Sequence, residues 1–380
     1  MDATRSDGAV RAGPAAREQF YDARGYGQPR EGDLVLAPVE AAHLLFRGDL
    51  ATVDGMGFEA FLASGAVLPV TFQVYKDLRD RGFYLSPVGD EPGQVAAAAA
   101  PEVATGGPVE LEFVVYPRGK GPWDDDVAFW VRAASERANV PAADLVALAS
   151  TAGGADTSGR GGPAGGDEEG DGDGDGDPQS VLAVVDEEGE LTYLGLSRHR
   201  PTGATDHDLP TGVEATLLSD RVLVPNPPAA LHDRAFYGQR LDREGAALLL
   251  SLVEGAFLAE SGVLAVEGGA AALRERGRRV EGDRFDRRQA VYGALRTSGV
   301  VPKTGFKFGA DFRTYAHVED VADLGHSELL VRVLPCDHVF DPRDVALDVR
   351  LAHGVRKEMV FALVSGARNV DWLGVERLTP

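Results

Sequence analysis

At 380 residues, 44% of them hydrophobic, the chain can bury a sizeable core and is long enough for two or more domains. A formal net charge of -22 argues against a general nucleic-acid-binding surface, because phosphate affinity comes from clustered Lys and Arg; the protein either avoids polyanions or is suited to a salty cytoplasm, with any basic surface local, and scarce lysine favours the second. One cysteine, Cys336, excludes an internal disulfide framework, and with His338 it finds no second Cys- or His-rich pair to complete a zinc site.

Residues 1–18 read as a loose, disordered tail with no apolar leader, so no secretory signal is expected. Beyond it, two stretches read as copies of one unit. Tyr26-Gly27-Gln28 recurs as Tyr237-Gly238-Gln239, Glu40 to Leu45 as Glu244 to Leu249, and Val74 to Arg79 with Gly82 as Val291 to Arg296 with Gly299. Asp126-Val127-Ala128 with Arg132 recurs as Asp344-Val345-Ala346 with Arg350, and Tyr193-Leu194-Gly195 as Trp372-Leu373-Gly374. The spacing shortens at the last match, which marks an insertion in the first copy. An acidic Gly/Asp-rich stretch at about 151–178 fits it and reads as a disordered loop; its calcium-loop spacing from Asp171 fails because Leu182 stands where Glu is required.

In the second copy, apolar spacing predicts a helix from Arg243 to Glu260 and another from Arg287 to Ser298, stopped by Gly299 and Pro302. Glu328 to Leu334 reads as a strand. Asp341-Pro342 starts a helix to about His353, and strands follow over Lys357–Val364 and 370–378. The most apolar run, Gly245 to Val266, is broken by Glu254 and Glu260, so no membrane span and a cytoplasmic location are expected. The fold class is α+β: a tandem duplication of a unit with a helical/β N-terminal subdomain and a mixed α/β subdomain. The first copy occupies 19–200; the second divides into 217–285 and 286–380.

The chemistry concentrates late in the chain. Pro302 to Tyr315 mixes glycines, aromatics and cations in an order that fits no P-loop. His326-Ser327 and Arg356-Lys357 follow. With Tyr-x-x-Leu-Arg-x-x-Gly from Tyr292 and the run Pro302-Lys303-Thr304-Gly305-Phe306-Lys307-Phe308-Gly309-Ala310-Asp311-Phe312-Arg313, the stretch Tyr292–Ala362 resembles the catalytic domain of the archaeal tRNA-intron endonuclease family. The resemblance implies that 286–380 is catalytic, with Tyr315 as general base, His326 as general acid and Lys357 stabilising the transition state, without metal or cofactor. The residue types suit that work. An imidazole, pKa ~6.5, can donate a proton to a leaving oxygen and an ammonium can neutralise a phosphorane, whereas a phenol, pKa ~10, is a poor base or a positioning group.

The resemblance further matches Arg350 and Trp372 to positions that pinch a flipped-out bulge base. Arg274 to Lys307 holds ten Lys and Arg against four acids, a local positive surface that puts Lys303 and Lys307 among the expected RNA contacts. Internal register sets Asn139 opposite Lys357, Pro108 opposite His326 and Ala97 near Tyr315, so the first copy reads as an inert scaffold. Its acidic loop, Asp186, Glu187 and Glu188, resembles one that docks on a partner chain. That implies a homodimer with two working sites, suited to the two cuts of a bulge-helix-bulge in precursor tRNA. A non-catalytic RNA-binding subunit is opposed by the intact triad. A metal-dependent DNA nuclease is opposed by Val355, which stands two residues before Lys357 where an acid would be needed.

Overall fold

The computed structural model describes residues 1–95, 110–124, 126–151, 178–241, 246–366 and 369–380. The chain begins in a sheet. β1 (Asp2–Ser6) and β2 (Ala9–Ala12) form a hairpin through Asp7 and Gly8, both at positive φ (52° and 77°), and bury Ala3, Ala9, Val10 and Ala12. The tail expected at 1–18 is therefore corrected. Its strands are short and made of small residues and charges, which hid their alternation from sequence reading. β3 (Gln28–Arg30) and β4 (Asp33–Leu36) extend the hairpin, and the order is completed by β5 (Thr52–Val53) parallel to β1. Helices α1 (Pro38–Phe46), α2 (Phe58–Ala63) and α3 (Pro69–Asp80) share this core, α1 and α3 each starting on a proline that presets the first helical turn.

The first half continues as β6 (Leu85–Pro87), β7 (Phe113–Val115), β8 (Phe129–Ser135), β9 (Val140–Pro141), α4 (Ala142–Thr151), β10 (Gln179–Val185) and β11 (Leu191–Arg198). The second half opens with β12 (Val213–Glu214), β13 (Thr216–Leu217), β14 (Arg221–Pro225), β15 (Gln239–Arg240) and β16 (Ala247–Ser251), then α5 (Leu252–Glu260), β17 (Leu264–Ala265), α6 (Gly269–Glu281) and α7 (Arg284–Thr297). It closes with β18 (Val301–Thr304), β19 (Phe312–Tyr315), β20 (Leu329–Pro335), β21 (Val339–Phe340), α8 (Pro342–Gly354), β22 (Glu358–Ser365) and β23 (Asn369–Leu378). The helix expected from Arg243 to Glu260 is corrected at its start: 247–251 is strand β16, and Arg243 and Glu244 lie outside the described residues. Ser251 begins the helix. Its hydroxyl accepts from Glu254 N at 3.2 Å while the Glu254 carboxylate accepts from Ser251 N at 2.9 Å, a reciprocal cap. Three consecutive leucines fit either period, so spacing alone misplaced the boundary.

The duplication is visible in matching contacts. Glu40 accepts from Gly27 N at 2.7 Å and Glu254 from Gly238 N at 2.9 Å; Arg79 stacks 3.9 Å from the Tyr26 ring and Arg296 3.8 Å from that of Tyr237. Both glycines have positive φ, 66° and 58°, and an added Cβ would lie 2.5 Å and 2.6 Å from a backbone oxygen. Glu40 thus corresponds to Glu254, not to Glu244.

One ten-stranded sheet joins the halves, in the order β18-β19-β20-β22-β23-β11-β10-β8-β7-β6. Each half contributes a parallel pair, β8 with β10 and β20 with β22, crossed by α4 and α8 respectively. The seam is antiparallel, from Tyr193 opposite Leu378 to Arg198 opposite Leu373. Under α4 and α8 a single core runs across it, joining Leu145, Leu182 and Leu196 to Val345, Phe361 and Val375. On the other face α3 and α7 each seal the core of their own half. The architecture is α+β with tandem duplication. The acidic stretch at 152–177 lies outside the described residues, and no described helix is long and apolar enough to cross a membrane.

Candidate active site

The parallel pair β20–β22 starts with Leu329 opposite Glu358, so the residues just before each strand meet at one end of the sheet. β19 runs the other way and delivers Tyr315 to the same end. Three hydrogen bonds fasten the segments. Glu328 N donates to the Thr314 carbonyl at 2.9 Å, Glu358 N to the Glu328 carbonyl at 3.1 Å, and Lys357 Nζ to the Ser327 carbonyl. Lys357 is thereby held to the residue that follows His326, and the strand carrying Tyr315 is tied to the same loop. Lys357 is aimed by the end of α8. Arg356 takes a positive φ of 55° while Lys357 N bonds the Ala352 carbonyl at 3.0 Å, a left-handed helix stop that turns the chain directly into β22.

His326 is exposed. Tyr315 is 4% exposed, its ring edge-on to Phe236 at 5.7 Å and 5.7 Å from the Arg313 guanidinium. Burial and the charge of Arg313 hold the Lys357 amine below its ordinary range, and the Glu328 carboxylate opposes them. Burial pushes Glu328 up, countered by the Ala316 N–H and by Lys357. The Phe308 ring lies 5.8 Å from Lys357 Nζ. Arg313, Glu328 and Phe308 escaped sequence reading; the only signal for Glu328 was its place two residues after His326.

The other expected contacts divide. Lys307 is exposed. Lys303 is not: its Nζ donates to the carbonyls of Phe236 (3.1 Å) and Gly238 (2.8 Å) and stands 3.4 Å from the buried Glu254 carboxylate. Its role as an RNA contact is therefore corrected, because this ammonium is the counter-ion of a buried acid. The positive surface expected over 274–307 is largely neutralised as well. Arg274 pairs with Glu260, Arg278 with Asp286, Arg279 with Glu275, and Arg284 and Arg288 with Asp311. Arg350 is exposed on α8, whereas Trp372 packs on the α7 face of the sheet, so one chain does not bring them together. In the acidic loop Asp186 closes its own turn by accepting from the N–H groups of Glu188 and Glu190, both at 2.9 Å; Glu187 pairs with Arg137, and Glu188 is exposed.

Strand pairing also corrects the register of the first half. Phe113 faces Val131 as Phe312 faces Val331, which sets Tyr116 opposite Tyr315. Gln179 faces Phe129 as Glu358 faces Leu329, which sets Pro178 opposite Lys357 and Asp126 opposite His326. Asn139 instead precedes α4, while Ala97 and Pro108 lie outside the described residues. Arg132 corresponds to Arg332, not Arg350, and is buried with ion pairs to Glu110 and Asp144. The first half keeps the phenol, donated to Ser86 at 3.0 Å, and lacks the imidazole and the ammonium.

Comparison with known proteins agrees with this layout. The N-terminal domain of the tRNA intron endonucleases matches twice, at residues 1–62 and 213–276, and their catalytic C-terminal domain once, at 285–372. The chain is 56% identical to a tRNA-splicing endonuclease of Haloarcula marismortui and 53% identical to one of Natronomonas pharaonis, with 100% of both chains covered in each case. A tRNA-splicing endonuclease of Methanosarcina mazei is 34% identical over 97% of this chain and 96% of its own. Likeness of this extent, from one end to the other, means that the chain belongs to the tRNA-splicing endonuclease family.

Proposed function

We propose that the protein is an endoribonuclease that excises introns from precursor tRNA by cutting both splice sites of a bulge-helix-bulge, without a metal. At each site the 2'-hydroxyl attacks the adjacent phosphorus and the bond from phosphorus to the 5'-oxygen breaks. Tyr315 takes the proton from the 2'-hydroxyl, His326 gives one to the departing 5'-oxygen, and Lys357 stabilises charge on the phosphorane. The products are a 2',3'-cyclic phosphate and a 5'-hydroxyl. The observation that carries this reading is the bond from Lys357 Nζ to the carbonyl of Ser327, next to His326, at the sheet end that β19 supplies with Tyr315.

Two cuts in one substrate call for two such sites, which a homodimer supplies. Its support is one exposed acidic loop and one arginine left for it to meet. In this reading exposed Glu188 of one chain enters a cleft of about 1290 Å³ in the other, where Arg274 and Arg278 are paired with Glu260 and Asp286 and Arg287 has no ion pair among the described residues. Arg350 and Trp372 are base-stacking groups in this reading, with Lys307 as a phosphate contact. Because the first two stand on opposite faces, each meets a different base unless a second chain completes the pair.

Incubating the purified protein with an intron-containing precursor tRNA in excess EDTA, and mapping the ends, tests the proposal. Cyclic phosphate and 5'-hydroxyl ends at both junctions are expected. Loss of cleavage in EDTA with recovery on adding Mg2+, or 3'-hydroxyl ends, would overturn it.

A further inference from the structure

Phe306 is 86% exposed, more than any other large hydrophobic side chain among the described residues. Single exposed apolar residues are ordinary, so exposure alone decides nothing. The comparison with other exposed aromatics is more telling. Trp123, 50% exposed, is braced edge-on by Tyr21 and Tyr84, and Phe46, 47% exposed, by Phe58 and Phe72. Phe306 has no ring contact among the described residues, yet its backbone is fixed. It opens a single helical turn, Phe306–Phe308, in which Phe308 N bonds the Gly305 carbonyl at 2.8 Å and Gly309 N the Phe306 carbonyl at 3.3 Å. Phe308 anchors the turn inward, against the core beneath α4 and α8 and 5.8 Å from Lys357 Nζ. Phe306 leaves a bare, exposed phenyl ring on a turn that touches the candidate active site through Phe308.

Charge identifies what that ring meets. Lys307, its exposed neighbour, has no ion pair among the described residues, and the same turn reaches Lys357 through Phe308. The one carboxylate of the loop, Asp311, is buried and already holds Arg284, Arg288 and the Val333 N–H. In a chain of net charge -22, an aromatic face beside an unpaired ammonium suits a stacked base on a polyanion.

We propose that Phe306 is a stacking platform for an unpaired nucleobase of the substrate RNA, with Lys307 on the adjoining phosphate. This rests on the ribonuclease reading and adds a specific contact to it.

The test uses the full-length protein and a bulge-helix-bulge RNA carrying 2'-deoxy residues at both scissile positions, which binds without being cut. Phe306→Ala should weaken Kd by about 5- to 150-fold, the range carried by one base stacked on an aromatic ring. Phe306→Trp should keep the affinity and add indole emission that is quenched on binding. Phe306→Ala binding as tightly as wild type, or Phe306→Leu doing so, overturns the proposal, the second by showing that bulk suffices without a π-face. A variant that instead loses dimerisation in sedimentation, with RNA affinity per site unchanged, overturns it in favour of a protein contact. If the wild type binds no such RNA, the ribonuclease reading fails and takes this inference with it.

Discussion

At the residue scale, like side chains have been given unlike work by burial. Lys303 and Lys307 sit four positions apart in one motif and look interchangeable in sequence, yet one neutralises Glu254 inside the fold and the other stands in water. For Glu254, burial pushes the carboxyl up, but the Lys303 charge and the N–H groups of Gly238 and Ser251 outweigh it and hold it below the ordinary value. A carboxyl depressed in this way stabilises the fold above its unfolded pKa, and that stability is lost as pH falls through the folded value. Lys303→Met should therefore cost about 3–5 kcal/mol at neutral pH. The deficit should narrow in acid, where a protonated Glu254 no longer needs an ammonium, and denaturant titrations at two pH values would read it. Glu328 acts on Lys357 in a parallel way, opposing the burial and the Arg313 charge that lower its amine. With Glu328→Gln the Lys357 amine should lose its proton at lower pH, and the alkaline limb of the cleavage profile should move to lower pH. An unmoved limb would show that the two groups are not coupled during turnover.

Among the elements, legibility followed local chemistry. The helix starting at Asp341-Pro342 and the strands around it were readable because a capping side chain, an N1 proline and a short buried run each leave a local mark; the Asp341 carboxylate does accept from Arg343 N at 3.0 Å. β16 was misread since three leucines carry no period, and β1 and β2 were missed because alanines and charges give no apolar contrast. The register of the first half slid because its loops differ in length from those of the second, and only strand pairing across the sheet fixes which residues correspond. Within the candidate site, the Tyr315, His326 and Lys357 segments were legible as motifs, while Arg313 and Glu328 belong to it only through folding. The stop of α8 is a case in which geometry outranks preference. Arg356 occupies a left-handed position that a side chain disfavours. Arg356→Gly should raise stability by about 1 kcal/mol, measurable as a higher Tm; a lower Tm would mean that the guanidinium makes a contact worth more than the strain it bears.

Over the whole molecule, acidity and assembly are connected. A chain of net charge -22 repels its own copies, so the proposed dimer needs a local exception, and in the cleft that role falls to Arg287, which has no ion pair among the described residues. If the protein is the proposed dimer, reversing Glu187 and Glu188 together to Lys should convert it to monomers in sedimentation velocity and abolish paired cutting. Retained dimers would exclude this loop as the docking element. In ~1 M salt the screening length is ~3 Å, so only the desolvated part of such a contact survives.

The hydrophobic layer beneath α4 and α8 crosses the midline of the chain, and β11 and β23 occupy the centre of the sheet. Neither half can then be excised cleanly. A catalytic half on its own would present β23 as an open edge with a row of unsatisfied amides beside bared leucines and valines, an invitation to aggregate. Proteolytic nicking of the connector at 199–212 should, by the same logic, leave two fragments still clasped together, because the interior they share holds them as firmly as the peptide link did.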